Sequence, residues 1–277
     1  MQCTSPIFLS AVDKDGNRRF KDHHYVVYTR DDGSHYHEEG CYVPCGQCVA
    51  CRLNYGKFWS IRLMDELRYH DSACFATLTY DNEHLPSDGS LHKEDIQKFW
   101  KRLRKERNVR YFCCGEYGDT FQRCHFHAII YGVSPQETEL IQKHWQQGFV
   151  KLGTVTEDSC AYVCKYMTKK IKGREAVEKW KEENPGLEQE FVLMSRRPGI
   201  GGEPSEELIR FMKENGFVWR KTSKSSLPRY WKDKFGIKTG NDVVFLDRDH
   251  DSFYDLCLQK DKFNDNIMKS KQRLFNK

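Results

Sequence analysis

Two runs rich in strand-forming residues, 109–117 and 125–131, are separated by only Gly118-Asp119-Thr120-Phe121-Gln122-Arg123. A parallel pair needs a crossover of roughly a dozen residues or more, which this linker cannot supply. The two runs are therefore expected to form an antiparallel hairpin, with Gly118 at the turn. That hairpin places two strands side by side in a sheet, and its flanks decide the rest of the fold.

Upstream, Cys74-Phe75-Ala76-Thr77-Leu78-Thr79-Tyr80 reads as a strand, closed by Asp81-Asn82 and a loop marked by Pro86 and Gly89. Ser90 is expected to cap a helix through Ile96, Phe99, Trp100 and Leu103, acidic near its start and basic near its end. Downstream, Ser134-Pro135 and Glu137 predict a helix to about residue 147, where Gly148 can end it. A strand over 149–155 and a helix after Thr156-Glu157-Asp158 complete the series. Strand, helix, strand, strand, helix, strand, helix predicts an α+β fold, a ferredoxin/RRM-like antiparallel sheet with flanking helices.

The rest of the chain is expected to decorate this core. Residues 1–70 read as a Cys-rich N-terminal extension, irregular to about residue 40, followed by an amphipathic helix from Arg52 to about residue 68. Residues 71–240 form the core with a basic C-terminal part, and 241–277 a charged peripheral tail. Within the C-terminal part, a polar helix before Asn184-Pro185-Gly186, a strand at 191–194, a turn at 198–202 and a helix at 205–214 are predicted.

A 38% hydrophobic and 31% charged composition excludes a disordered chain and predicts a globule with a heavily charged surface. No run approaches the ~18 apolar residues of a membrane span, and the first residues lack signal-peptide character. A cytoplasmic protein with no membrane partner is expected. The net charge of +5 does not itself indicate nucleic acid. Basic residues cluster, however, at 101–105, at 169–172 and from Arg220 to Lys234, where Trp219, Tyr230 and Trp231 stand among them. Such interleaving suits phosphates and stacked bases, though a solvated helix face is the plain alternative for any one cluster.

His125-Phe126-His127 puts two imidazoles on one face of a strand and Phe126 on the other. Glu116, at the end of the preceding strand, can bring a carboxylate beside them across the hairpin. Two nitrogens and one oxygen would leave open positions on a divalent ion for a phosphate oxygen and water. Tyr162 and Tyr166 share a helix face by their spacing of four, with Lys165 between them. A phenol attacking a phosphodiester needs a polarised phosphate and a nearby base or lysine. Taken singly, each feature has a bland reading: an incidental His pair, a strand-end acid, tyrosines packed on a sheet.

Together they carry a resemblance. The strand 74–80, then Gly115-Glu116-Tyr117-Gly118 leading to 123–130, and the segment from Tyr162 to Lys170 resemble, in order and spacing, the three motifs of microvirus replication initiators of the gokushovirus type. Those proteins are members of the HUH endonuclease superfamily. The likeness extends through Pro44-Cys45-Gly46-Gln47-Cys48 and Ser195-Arg196-Arg197-Pro198-Gly199, covering most of residues 3–231. It implies that His125 and His127 bind Mg²⁺ or Mn²⁺ with Glu116 as third ligand. It also implies that Tyr162, or else Tyr166, attacks the scissile phosphate with help from Lys165. Rolling-circle replication would follow: a nick in a single-stranded phage origin on supercoiled duplex, a 5′-phosphotyrosyl link, and rejoining of the circle in the bacterial host cytoplasm. No G-x₄-G-K-[ST] motif is present, so host helicase and polymerase are the expected partners. Candidate DNA contacts are Arg123, Lys169, Lys170, Arg196, Arg197, Arg229, Tyr230 and Trp231.

Cys45, Cys48 and Cys51 stand at two successive C-x₂-C spacings, with Cys41 just before and Cys3 far upstream. Three thiolates and one of those two could hold structural Zn²⁺ tetrahedrally, and reduced thiols are favoured over disulfides. The rival reading is a non-catalytic zinc-containing single-stranded-DNA-binding or packaging protein, which leaves the ordered motifs unexplained. A transposase of the same superfamily would differ in substrate rather than bond chemistry.

Overall fold

The computed structural model describes residues 3, 7–10, 20–21, 27–29, 35–37, 40–118, 121–169, 174–220 and 223–237, with backbone alone for 7–43, 166–169 and 174–176. Two compact units are distinguished, Tyr55–Ile237 and a smaller one of Met1–Asn54 with Lys238–Lys277. In the smaller unit, β1 (Ile7–Ser10), β2 (Phe20–Lys21) and β5 (Gly40–Val43) make an antiparallel sheet in the order β2-β1-β5, while β3 (Val27–Thr29) pairs with β4 (His35–His37). Residues 1–40 thus hold short strands where the sequence predicted irregular chain. Helix α1 (Val49–Glu66) starts three residues before expectation, the Arg52 N–H donating to the Cys48 carbonyl, and a 3₁₀ turn over Leu67–Tyr69 closes it. The expected tail, 241–277, lies outside the described residues.

The larger unit runs β6 (Ala73–Tyr80), α2 (Lys93–Glu106), β7 (Arg110–Tyr117), β8 (Cys124–Tyr131), α3 (Thr138–Trp145), β9 (Gly148–Thr154), α4 (Glu157–Lys169), α5 (Arg174–Glu183), β10 (Phe191–Met194), α6 (Glu206–Asn215), β11 (Phe217–Arg220), β12 (Ser223–Ser226) and α7 (Arg229–Phe235). Its five-stranded sheet has the order β10-β7-β8-β6-β9, antiparallel throughout. Without β10, the order is that of a βαββαβ ferredoxin-like sheet, so the predicted α+β architecture is observed.

Strand alternation assigns the faces. Cys74, Ala76, Leu78 and Tyr80 of β6 join Phe126, Ala128 and Ile130 of β8 in a core with Ile96, Phe99, Trp100 and Leu103 of α2 and Ile141 and Trp145 of α3. On the opposite face Phe112, Cys114, Ile129 and Tyr131 pack with Trp59 and Leu63 of α1 and Cys160, Val163 and Cys164 of α4. The hairpin register sets Glu116 opposite His125 and Cys114 opposite His127, and the Gly118 N–H donates to the Arg123 carbonyl.

Two expected helix starts are corrected. His92, not Ser90, precedes α2; the buried Ser90 hydroxyl instead accepts the Glu188 N–H, tying the loop before β10 to the core. Helix α3 begins only at Thr138, because Ser134 and Glu137 are spent on a turn in which the Glu137 carboxylate accepts the Ser134 N–H. It ends at Gln146, in the left-handed region at φ 59°. Gly148 serves another purpose: a Cβ there would lie 2.3 Å from the Thr79 carbonyl oxygen and Asp81 nitrogen, so only glycine lets β9 approach the end of β6.

Candidate functional site

Because β8 alternates, His125 and His127 face the α1/α4 side while Phe126 enters the other core. The hairpin then delivers Glu116 to them. One carboxylate oxygen of Glu116 lies 2.8 Å from Nε2 of His125 and 2.7 Å from Nε2 of His127. The three potential ligand atoms lie within 4.8 Å of one another. Their neighbours fix the rings. Nδ1 of His125 lies 3.0 Å from the Arg123 carbonyl, which can only accept, so Nδ1 carries the proton and Nε2 turns to the cluster. Nδ1 of His127 meets the Thr77 hydroxyl at 3.0 Å, and Phe75 stacks on its ring at 5.5 Å.

Burial opposes ionisation of Glu116, yet hydrogen bonds from His125 and His127 and their charge hold its carboxyl below the ordinary value. Burial likewise disfavours the charged form of His125, but Glu116 and the Arg123 carbonyl outweigh it and raise the imidazole. A buried, ionised carboxylate with two imidazoles attracts cations, and this donor set fits one divalent ion.

Helix α4 buries Cys160, Val163 and Cys164, at helical spacing, against the sheet. Tyr162 projects to the side and is 42% exposed. Its hydroxyl lies 3.5 Å from Nε2 of His127, and its ring stands edge-on to His127 at 5.1 Å and to Phe75 at 6.1 Å. Lys165, half-buried, belongs to the same helix. Tyr166 and Lys169 continue its backbone, but their side chains, and Lys170 altogether, lie outside the described residues.

A second cluster sits in the smaller unit. Sγ of Cys3 lies 3.5 Å from that of Cys45 and 3.7 Å from that of Cys48, and the sulfurs of Cys3, Cys45, Cys48 and Cys51 all lie within 4.8 Å of one another. Zn–S bonds of about 2.3 Å in a tetrahedron place sulfurs about 3.8 Å apart, close to these separations. Backbone N–H groups of Gln47 and Cys48 point to Sγ of Cys45, and that of Cys51 to Sγ of Cys48, as suits sulfurs bearing charge. The Cys3 hydrogen bond and then burial raise the Cys51 thiol, so four protonated thiols crowd a space that a cation would fill with thiolates. Of the two expected fourth members, the structure brings in Cys3. Cys41 lies in β5 opposite Leu9, with its side chain outside the described residues.

The expected DNA contacts divide. Arg196, Arg197 and Arg229 are exposed. Trp231 is 1% exposed and donates its indole N–H to the Gly201 carbonyl at 2.6 Å, in a small core with Met212, Val218 and Leu227. It cannot stack on a base, and the expectation for it is corrected. Tyr230 is half-buried, with the Arg62 guanidinium 3.9 Å from its ring centre. The Arg123 guanidinium is engaged with the Tyr80 carbonyl and Asn82, bracing the hairpin. In the basic end of α2, Arg102 donates to the last carbonyls of α3 at His144 and Trp145.

Thr77 and Phe75, which position His127, were not singled out from the sequence. Their signal is the alternation of β6, which puts residues 75, 77 and 79 on the histidine face.

Residues 73–171 match the family described as replication-associated protein ORF2/gene II protein. The chain is 35% identical over 153 residues to replication-associated protein VP4 of Bdellovibrio phage phiMH2K, covering 46% of this chain and 48% of that one. It is 29% identical over 197 residues to replication-associated protein ORF2 of Spiroplasma virus 4, covering 62% of each. With replication-associated protein ORF4 of Chlamydia phage 1 it shares 28% identity over 189 residues, 59% of this chain and 43% of the other. The chain thus spans between 43% and 62% of the length of these relatives. No solved structure is significantly similar. Through residues 73–171, which hold Glu116, His125, His127 and Tyr162, the chain is related to the phage replication-associated proteins of the ORF2/gene II protein family.

Proposed function

We propose that this protein initiates rolling-circle replication of a phage genome by cutting a single-stranded origin with Tyr162. The observation that carries the reading is the Tyr162 hydroxyl 3.5 Å from Nε2 of His127, within a buried Glu116/His125/His127 set. These three residues would hold one Mg²⁺ or Mn²⁺, which when bound polarises the scissile phosphate.

The phenol oxygen of Tyr162 attacks phosphorus, the bond to the 3′ oxygen breaks, and the 5′ phosphate becomes esterified to tyrosine. The phenol proton is balanced by the proton taken up on the released 3′ hydroxyl. One phosphodiester replaces another, so the reverse attack by a 3′ hydroxyl recloses the strand with no further reactant. Lys165, on the same helix, contributes positive charge that eases phenolate formation. Tyr166, one turn on, is the second nucleophile that would cut the regenerated origin while the first holds the 5′ end. The Cys3/Cys45/Cys48/Cys51 cluster is assigned to structural Zn²⁺. DNA is the partner, with the origin opened by supercoiling of the duplex. Unwinding and synthesis fall to the host's helicase and polymerase, in the host cytoplasm. No described helix is long and apolar enough to cross a membrane.

The test is to incubate the protein with supercoiled replicative-form DNA of its phage and Mn²⁺. A nicked circle carrying protein that survives detergent supports the reading. Binding without any nick, with zinc present, would favour the zinc-containing DNA-binding protein instead.

A further inference from the structure

A cleft of about 720 Å³ opens in the larger unit between α1, the start of α4, α6 and β11. Its size is that of a small-molecule or nucleotide site. Asp65 lines it, 5% exposed, and neither carboxylate oxygen has a hydrogen-bond partner among the described residues. The Ser60 hydroxyl, one turn back on α1 and also lining the cleft, is buried and unpartnered in the same way. Buried polar groups are nearly always satisfied, and an unpartnered carboxylate is among the costliest exceptions. Two such groups lining one cleft mark a place built for something that donates hydrogen bonds.

The walls indicate what. Trp219, 55% exposed, offers an aromatic face, with Leu208 and Phe211 as apolar lining. The exposed Arg68 stands at the same cleft. An aromatic platform, apolar walls and a cation are the usual equipment for an unstacked base and its phosphate. Glu157, itself paired with Arg220, lines the cleft and opens α4. Tyr162 follows five residues later on that helix, about 7.5 Å at 1.5 Å per residue. A single strand at the nucleophile therefore passes within a few nucleotides of the cleft.

We propose that this cleft reads an unpaired guanine of the single-stranded substrate through Asp65. An ionised carboxylate only accepts, and its two oxygens ask for two adjacent donors. On the base edges, guanine alone presents them, N1–H beside N2–H. Adenine and cytosine alternate donor with acceptor, and thymine sets one donor between acceptors. The Ser60 hydroxyl can donate to guanine O6. Burial pushes the Asp65 carboxyl up to about 6, against the nearby Arg68, so the group is ionised at pH 7.5. The proposal rests on the single-strand nuclease reading for its substrate but not on cleavage chemistry.

The test is fluorescence anisotropy at pH 7.5, without added Mg²⁺ or Mn²⁺, on labelled oligothymidylate carrying one deoxyguanosine, deoxyinosine, deoxyadenosine or deoxycytidine. Inosine lacks the 2-amino group and with it one donor. The wild-type protein is expected to bind the guanosine strand about tenfold more tightly than the inosine strand, the value of one charge-assisted hydrogen bond. Asp65→Asn, which replaces one acceptor by a donor, is expected to bind both alike while keeping its thermal transition. Equal wild-type affinity for guanosine and inosine strands, or discrimination that persists in Asp65→Asn, overturns the guanine site and leaves the nuclease reading standing. Failure to bind any single strand overturns both.

Discussion

Thr77 faces His127 across the β6–β8 ladder and meets its Nδ1 with the hydroxyl at 3.0 Å. That contact leaves Nε2 directed at Glu116 and beside the Tyr162 hydroxyl. Outer partners of metal-binding histidines typically contribute about 10- to 100-fold to metal affinity or activity. Thr77→Val, close in shape but without the hydroxyl, is expected to lower the Mn²⁺-dependent nicking rate about tenfold. Thr77→Ser should recover most of it. Loss of activity in both variants would mean that strand packing, not the hydrogen bond, is what matters at this position.

Phe126 separates the two histidines and is fully buried, its ring set against Tyr80, Trp145 and Phe191. Phe126→Ala should cost about 3–5 kcal/mol of stability through the cavity it leaves. His127→Ala should instead abolish Mn²⁺ binding with a much smaller change in the urea midpoint. Similar losses of stability from both would contradict the division of β8 into a core face and a metal face.

The structure assigns four of the five candidate cysteines to one cluster. One zinc per chain is expected by elemental analysis of the purified protein. Cys45→Ser and Cys3→Ser should lose it and Cys41→Ser should keep it. Zinc loss in Cys41→Ser, with retention in Cys3→Ser, would reverse the assignment.

Asp65 supplies a pH dependence of stability in the DNA-free protein. Its folded value is raised by burial to about 6 from 3.8, so the folded state binds its proton more tightly than the unfolded chain does. The stability associated with that proton is complete below about pH 4 and is lost as pH rises through about 6. A shift of this size corresponds to about 3 kcal/mol. Asp65→Asn should therefore raise the melting temperature at pH 7.5 by several degrees and remove this loss between pH 4 and 6. An unchanged or lower melting temperature at pH 7.5 would show that the carboxylate is satisfied in solution.

The sheet and the metal set were legible because local rules decide them. A linker too short for a crossover forces the hairpin, and alternation then places Glu116, His125 and His127 on one face. What escaped depends on the third dimension. Trp231 sits in a basic, aromatic stretch that resembles a DNA-stacking surface, yet its indole is buried beneath the Gly201 loop, a contact thirty residues away in sequence. Ser90 looks like a helix cap, but Glu188 takes its hydroxyl across nearly a hundred residues. Thr77 carries no signal as a lone residue and gains its role only through the strand register. The partners of Asp65 and Ser60 could not be anticipated at all, since being unpartnered is a property of the packed chain.

The most direct test of the account is the identity of the nucleophile. Wild-type protein, Tyr162→Phe, Tyr166→Phe and the double variant are each incubated with Mn²⁺ and 5′- or 3′-labelled origin strands. Adducts are digested and mapped by mass spectrometry. The account predicts a nucleotide-bearing peptide modified at Tyr162, carrying the strand 3′ of the cut, and no initial adduct in Tyr162→Phe. A full yield of adduct from Tyr162→Phe, or from the double variant, would contradict it.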